Sequence, residues 1–300
     1  MLKRENIKLG IAPIAWAEDD MPEYGKETNF LQILSEIKLT GYEGTEIGCK
    51  FPHDAKVVRE ECSRRGLQVI TKWFSSYLNE QPYWMVERDF RDHMYFLKSA
   101  GAQLINVSDQ SFSIQHRSRT SVLEKFCIHD DKIWAELAAG LNKLGKLALD
   151  NGMELVYHHH MTTTVQTAEE IDKLMELTDP RYVNLIYDTG HLAFSGEDPV
   201  AVLEKHFDRV KHVHLKNIRK DVVERCRKER LSFLESVLEG AFTIPGDPEG
   251  CVDFPSVFKI LEERNYKGWL VVEAEQNPYI YNPYDYAVLA RKYIKEQTGI

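Results

Sequence analysis

The chain has 300 residues, 43% of them hydrophobic and 28% charged, which is enough apolar material for a sizeable core and excludes a disordered protein. Its formal net charge of −9 repels nucleic-acid phosphates, so nucleic acid is not an expected partner. Five scattered cysteines with no C-x-x-C pair, no apolar leader and no run of 18 apolar residues point to a reducing cytoplasm and no membrane contact.

Eight short β-branched or apolar runs follow in order, beginning at Ile7, Gly41, Leu67, Gln103, Met153, Val183, Val210 and Gly268. Between them lie stretches with helical spacing, such as those after Phe30, Trp134 and Ala168. Gly41, Gly66, Gly101, Gly152 and Gly268 precede strands, where a left-handed helix cap takes a residue without Cβ. Eight βα repeats with no G-x-G-x-x-G after the first strand predict the α/β class and a (β/α)₈ TIM barrel. With no linker or low-complexity tract, residues 1–300 are expected to be one TIM-barrel domain. Two connections are longer than the rest, near 110–131 after the fourth strand and 219–255 after the seventh. Both leave strand C-terminal ends, so they are expected to lie over the active-site face as lids with short helices of their own.

Histidines and carboxylates gather at the ends of the last four runs: His158, His159 and His160, then Asp188 with His191, His212 with His214, and Glu273 with Glu275. Alternation along a strand puts His158 with His160, His212 with His214 and Glu273 with Glu275 on shared faces, at the top of the barrel interior. One donor per strand gives His158, Asp188, His214 and Glu273 as metal ligands, a nitrogen and oxygen set suited to Mn²⁺, Co²⁺ or Zn²⁺. Taken singly, each is as readily a satisfied polar group, and Asp188 as readily a helix cap. Four at equivalent strand ends favour the metal.

His191 is expected at the substrate, His212 as a core or orienting histidine, and His159 toward the helices without a role. Glu46 and Lys72 fall near the ends of early strands, where a structural ion pair and a catalytic role are compatible; Lys216 is similar. Trp16 and Trp73 are candidates for an apolar wall against a ring, although such aromatics are more often core.

The segments YHHHMTTTVQTAEEIDKLM, YDTGH, KHVHLKN, FTIPGDPEGCVDF and GWLVVEAEQNP, with GIAPIAW and TKWFSSY near the start, resemble the inosose dehydratase family of the xylose-isomerase-like barrel superfamily. The resemblance runs from about Gly10 to Ile294 and implies a metal, Mn²⁺ or Co²⁺, held by residues of four successive strands. Asp188, His214 and Glu273 match the superfamily's metal positions, whereas His158 stands where most members have glutamate, and His160 is its alternative. Two further departures are Thr162-Thr163-Thr164 where the family has Gly-Thr-Gly, and Asn217 where it has aspartate. The second removes a titratable group.

The resemblance implies dehydration of 2-keto-myo-inositol to a trihydroxycyclohexane-dione. A base would remove the proton beside the ketone and an acid would protonate the departing hydroxyl. Lys72, Glu46, His160, His191 and Glu275 are candidates, Lys72 being favoured because a partly desolvated lysine near a dication loses its proton readily. Trp16, Trp73, His160, Lys216 and Glu275 are the candidate substrate contacts. The resemblance also carries glutathione as an accompanying cofactor, for which no residue supplies a physical reason. The expected partner is a small cyclic polyol ketone, and a homo-oligomer is compatible with a sequence that carries no signal for subunit number. The rivals are an isomerase or epimerase using the same enediolate, a phosphodiesterase, which the chain's acidity disfavours, and a non-catalytic polyol-binding barrel.

Overall fold

In the computed structural model, which describes residues 2–300, each of the eight runs supplies one parallel strand of a closed barrel. The barrel strands are β1 (Ile7–Ile11), β2 (Gly44–Ile47), β3 (Gln68–Ser76), β4 (Leu104–Asp109), β5 (Glu154–His158), β6 (Val183–Asp188), β7 (Val210–Leu215) and β10 (Gly268–Val272). The ring closes where β1 pairs with β10, Ile7 opposite Gly268 and Ile11 opposite Val272. Two short antiparallel strands outside the barrel, β8 (Asn217–Ile218) and β9 (Phe242–Thr243), complete the set.

Alternation sorts the strand side chains into two apolar layers. Leu155, Tyr157, Leu185, Val213 and Leu270 face the helices and join the main core, whereas Ala12, Ile70 and Val271 fill the barrel with Trp269 packed against them. Each fully buried aliphatic side chain contributes about 1.5–3 kcal/mol. The interior is packed low down, so polar inward residues are left for the mouth.

The helices are α1 (Phe30–Leu39), α2 (Ala55–Arg64), α3 (Tyr83–Ala100), α4 (Asp131–Asp150), α5 (Ala168–Leu177), α6 (Thr189–Ser195), α7 (Pro199–His206), α8 (Lys220–Lys228), α9 (Phe233–Leu238), α10 (Phe254–Glu263) and α11 (Pro283–Thr298). The α5 helix shows why sequence sets them: Thr167 and Glu170 form a reciprocal capping box, and Ile171, Leu174 and Met175 make its buried stripe. Gly101 ends α3 at φ 95°, as expected of a left-handed cap. Gly268 does not cap α10, contrary to expectation. Asn265, at φ 53°, takes the left-handed position, and Gly268 instead opens β10, where a Cβ would lie 2.8 Å from the Tyr266 hydroxyl.

His93 on α3 donates from Nε2 to the Lys72 carbonyl at 3.1 Å and packs on Phe74. Burial lowers its pKa to about 4, below the ordinary 6.5. Between those values the unfolded chain binds a proton that the folded one refuses, so stability should fall as pH drops from about 6.5 toward 4. His93→Gln should remove on the order of 1–3 kcal/mol of that pH dependence in urea unfolding at paired pH values. An unchanged slope would mean His93 is not its source.

The long connection over 110–131 carries one 3₁₀ turn, Val122–Glu124, and the one over 219–255 carries α8, α9 and β9 before α10 begins. Arg219 ties the second together through the Gly240 carbonyl at 2.8 Å and Asp247 at 2.6 Å. Met21, Val122, Met161, Phe194, Phe233 and Phe242 pack into a separate apolar cluster in which both long connections meet the β1, β5 and β6 loops. Among the described residues no helix is long and apolar enough to cross a membrane, and all five cysteines are free.

Candidate active site

The inward residues at the ends of β5, β6, β7 and β10 meet in one buried cluster. Asp188 pairs with His214 in the β6–β7 register, and the next inward positions are Lys216 on the β7 side, with Glu273 and Glu275 past β10. His158 Nε2 and His214 Nδ1 each lie 3.4 Å from Asp188 Oδ2. Glu273 Oε2 is in direct contact with His214 Nδ1. His158, Asp188 and His214 thus present donor atoms within 4.8 Å of one another, and Asp188 and Glu273 form a second such set with His191.

Asp188 does two jobs. Its Oδ1 accepts from the Gly190 and His191 amides, both at 2.9 Å, capping α6, while Oδ2 faces the two imidazoles. The glycine after Thr189 has a reason of its own: a Cβ on Gly190 would lie 2.3 Å from Lys216 Cγ, so the motif leaves room for the lysine stem.

Lys216 is fully buried, and its Nζ lies 3.0 Å from Glu273 Oε1, 2.8 Å from Glu275 Oε2 and 2.8 Å from His191 Nε2. Burial alone would strip its proton, but the carboxylates of Asp188, Glu273 and Glu275 outweigh that and raise its pKa, so the ammonium stays charged. Against the same burial, His214 and Lys216 bring Glu273 down to about 2. His158 is lowered to about 4 by burial and is neutral at pH 7, as a ligand must be.

Glu46 Oε1 receives His212 Nε2 at 2.7 Å and His214 Nε2 at 3.0 Å, fixing the His214 ring on the side away from Asp188. Burial would raise the Glu46 pKa, but the two imidazoles hold it well below the carboxylate range. Glu46 and His212 therefore hold the His214 ring in place, the arrangement of a carboxylate behind a metal-bound imidazole.

The His160 and His191 rings are in contact, tilted by 45° with centroids 3.7 Å apart, and each Nε2 lies 3.6 Å from Glu275 Oε1. Trp73 packs edge-on against His158 and His160, at 5.3 and 5.4 Å between centroids, and lines a cavity of about 290 Å³ over the cluster. A larger depression of about 830 Å³ at the opposite end of the barrel is lined by Arg4, Lys8 and Lys267 and holds no such donor set.

One expectation is corrected. Trp16 does not face the mouth: the 3₁₀ turn Pro13–Ala15 directs it sideways, where it is buried and donates to Glu36 Oε2 of α1 at 2.6 Å. Lys72 borders the cavity, but its ammonium lies 5.7 Å from the Phe96 ring centroid on α3, apart from the cluster. Counting by twos from Ile70 places Lys72 inside. A β-bulge breaks the count: Thr45 pairs with Val69 but Ile47 with Lys72, so Trp73 takes the inward position.

His159 and Asp109 carry work that sequence reasoning missed. His159 Nε2 accepts the Asp188 amide at 3.2 Å, tying the end of β5 to β6 beside His158 and Asp188; burial lowers it to about 3, consistent with an unprotonated acceptor. Asp109, at the end of β4, accepts from Ser76 Oγ at 2.8 Å and Thr164 Oγ1 at 3.0 Å, joining three loops. Its position at a strand end, like that of Asp188, was the available signal. Asn217 is likewise structural: Oδ1 accepts from the Cys251 and Val252 amides at 3.0 and 2.9 Å.

Thr162 sits at φ 65°, a conformation costly for a β-branched residue. Thr162→Gly should raise the melting temperature by about 2–4 °C, a net gain of about 1 kcal/mol. A lower melting temperature would show that the threonine's bonds outweigh its strain.

The xylose isomerase-like TIM barrel family model matches residues 34–297. The chain is 54% identical over 299 residues to an inosose dehydratase of Clostridium beijerinckii, with 100% of each chain covered. It belongs to the inosose dehydratase family. A second inosose dehydratase, from Geobacillus thermodenitrificans, is 49% identical over 300 residues, again covering 100% of both chains. Two solved structures of low sequence identity share its fold. The solved IOLI protein with a binding zinc atom has a TM-score of 0.72 at 16% identity, covering 97% of this chain and 98% of that one. The probable 3-DHS dehydratase AsbF of Bacillus anthracis has 0.69 at 15% identity, covering 96% and 98%.

Proposed function

We propose that this chain is a metal-dependent hydro-lyase of the cytoplasm that converts 2-keto-myo-inositol (scyllo-inosose) to a trihydroxycyclohexane-1,2-dione in myo-inositol catabolism. The observation that carries the reading is the convergence of His158, Asp188, His214 and Glu273 in a chain about half identical, along its whole length, to proteins named inosose dehydratase.

The donor set fits a divalent ion, since two imidazole nitrogens and two carboxylates converge without a thiolate. We assign Mn²⁺ or Co²⁺, held by those four residues, with Glu46 orienting His214 from behind. Bound there, the ion supplies Lewis acidity toward the ketone and a neighbouring hydroxyl.

The remaining steps fall to this chain's own side chains. Trp73 offers an apolar wall for the ring. Lys216, charged and held by Glu273, Glu275 and His191, sets a fixed positive charge beside the cluster that favours the negative charge developing on the ketone oxygen as the adjacent C–H is broken. Glu275 and His160, 3.6 Å apart, handle the proton: the carboxylate accepts it from the C–H and passes it to His160 Nε2, which delivers it to the departing hydroxyl. His191 braces this pair through its tilted ring contact with His160.

Proton NMR of the product formed from inosose tests the reading, with and without glutathione. A ring that has lost one oxygen is expected. A product that keeps every oxygen would replace dehydration with epimerisation.

A further inference from the structure

The cluster contains a second set of donors that the four metal-ligand positions do not use. His160 Nε2, His191 Nε2 and Glu275 Oε1 lie within 4.8 Å of one another, all buried, in the arrangement that would hold a cation. A cation is already there. Lys216 Nζ stands 2.8 Å from His191 Nε2 and 2.9 Å from Glu275 Oε1, and 3.6 Å from Asp188 Oδ2, the carboxylate oxygen shared with the first set. Its stem passes against Gly190, and its Nζ lies 5.1 Å from the Phe242 ring centroid.

Charge supports the same assignment. Asp188, Glu273, Glu275 and Glu46 bring four negative charges into the buried cluster, and Lys216 returns one positive charge. One dication leaves a single negative charge. A second, in the set of His160, His191 and Glu275, would lie against the Lys216 ammonium, placing like charges in contact away from bulk water, which is strongly unfavourable.

Resting on the metal reading above, we propose that the mouth has two cation positions, one for a divalent metal and one filled permanently by the Lys216 ammonium, so that this lysine keeps the centre mononuclear. The latent second site consists of His160, His191 and Glu275. It opens to a divalent ion when the ammonium is removed.

Counting bound ions tests this without reference to turnover. The full chain, stripped with chelator, is loaded with Co²⁺ alone and freed of excess by gel filtration; cobalt per chain is then measured, with the visible absorption of bound Co²⁺ as a second readout. One equivalent is expected for the parent and two for Lys216→Ala, falling back to one in Lys216→Ala/Glu275→Gln. Two equivalents in the parent, or one in a Lys216→Ala chain with parental circular dichroism, overturns the proposal. Should Lys216→Ala fail to fold, Glu275→Gln in the parent background still decides: its count stays at one, whereas zero would place Glu275 in the first site and overturn the two-site division. No cobalt in the parent would instead defeat the metal reading itself.

Discussion

Asp188→Asn should cost more than about 100-fold in both metal affinity and turnover, beyond what removing a supporting group behind a ligand costs, while the barrel stays folded. The two halves of that expectation come from the two oxygens of one side chain. Oδ1 caps α6 through the Gly190 and His191 amides, and an asparagine oxygen caps equally well. Oδ2 faces His158, His214 and Lys216, where an amide brings no charge. Asp188→Ala should lose the same activity and about 1 kcal/mol of stability besides, through the missing cap. Equilibrium metal titration and thermal melts of the two variants separate the roles; an Asp188→Asn chain with parental metal affinity would remove this residue from the ligand set.

Lys216→Met and Lys72→Met should differ sharply. Removing a preorganised donor from a developing oxyanion typically costs about 10²–10³ in kcat, and Lys216 is the buried ammonium fixed among Glu273, Glu275 and His191. Lys72, with its ammonium over Phe96, should tolerate methionine within about tenfold. Steady-state kinetics of both variants with inosose decides between them. Loss of turnover in Lys72→Met with Lys216→Met near normal would mean that the lysine swings into the cavity with substrate.

The contrast between these lysines shows what a sequence of this kind reveals. Where the end of a strand is regular, a period of two carries through to the mouth: His158 ends β5, Asp188 ends β6, His214 follows the irregularity in the β6–β7 pairing, and Glu273 continues the β10 alternation by one residue. Where the chain departs from regularity, the count fails. The bulge in β3 exchanges Lys72 for Trp73, and a 3₁₀ turn of three residues carries Trp16 into the α1 interface. Neither has a marker in the residues themselves.

A second kind of information was beyond reach because it depends on contacts between distant segments. Glu46 is 168 residues from His214, and nothing in GTEIG tells a catalytic carboxylate from one that braces an imidazole. His159 was assigned to the helix side by alternation, yet its ring reaches the Asp188 amide because β5 has ended and the period no longer applies. The helix-cap reading of Asp188 and its metal reading were posed as alternatives; the geometry supports both at once.

The most direct test of the account is metal-dependent turnover of inosose. Chain stripped with chelator should be inactive, and Mn²⁺ or Co²⁺ should restore water loss in proportion to the ion bound. Full activity in stripped protein free of metal would contradict the assignment of His158, Asp188, His214 and Glu273.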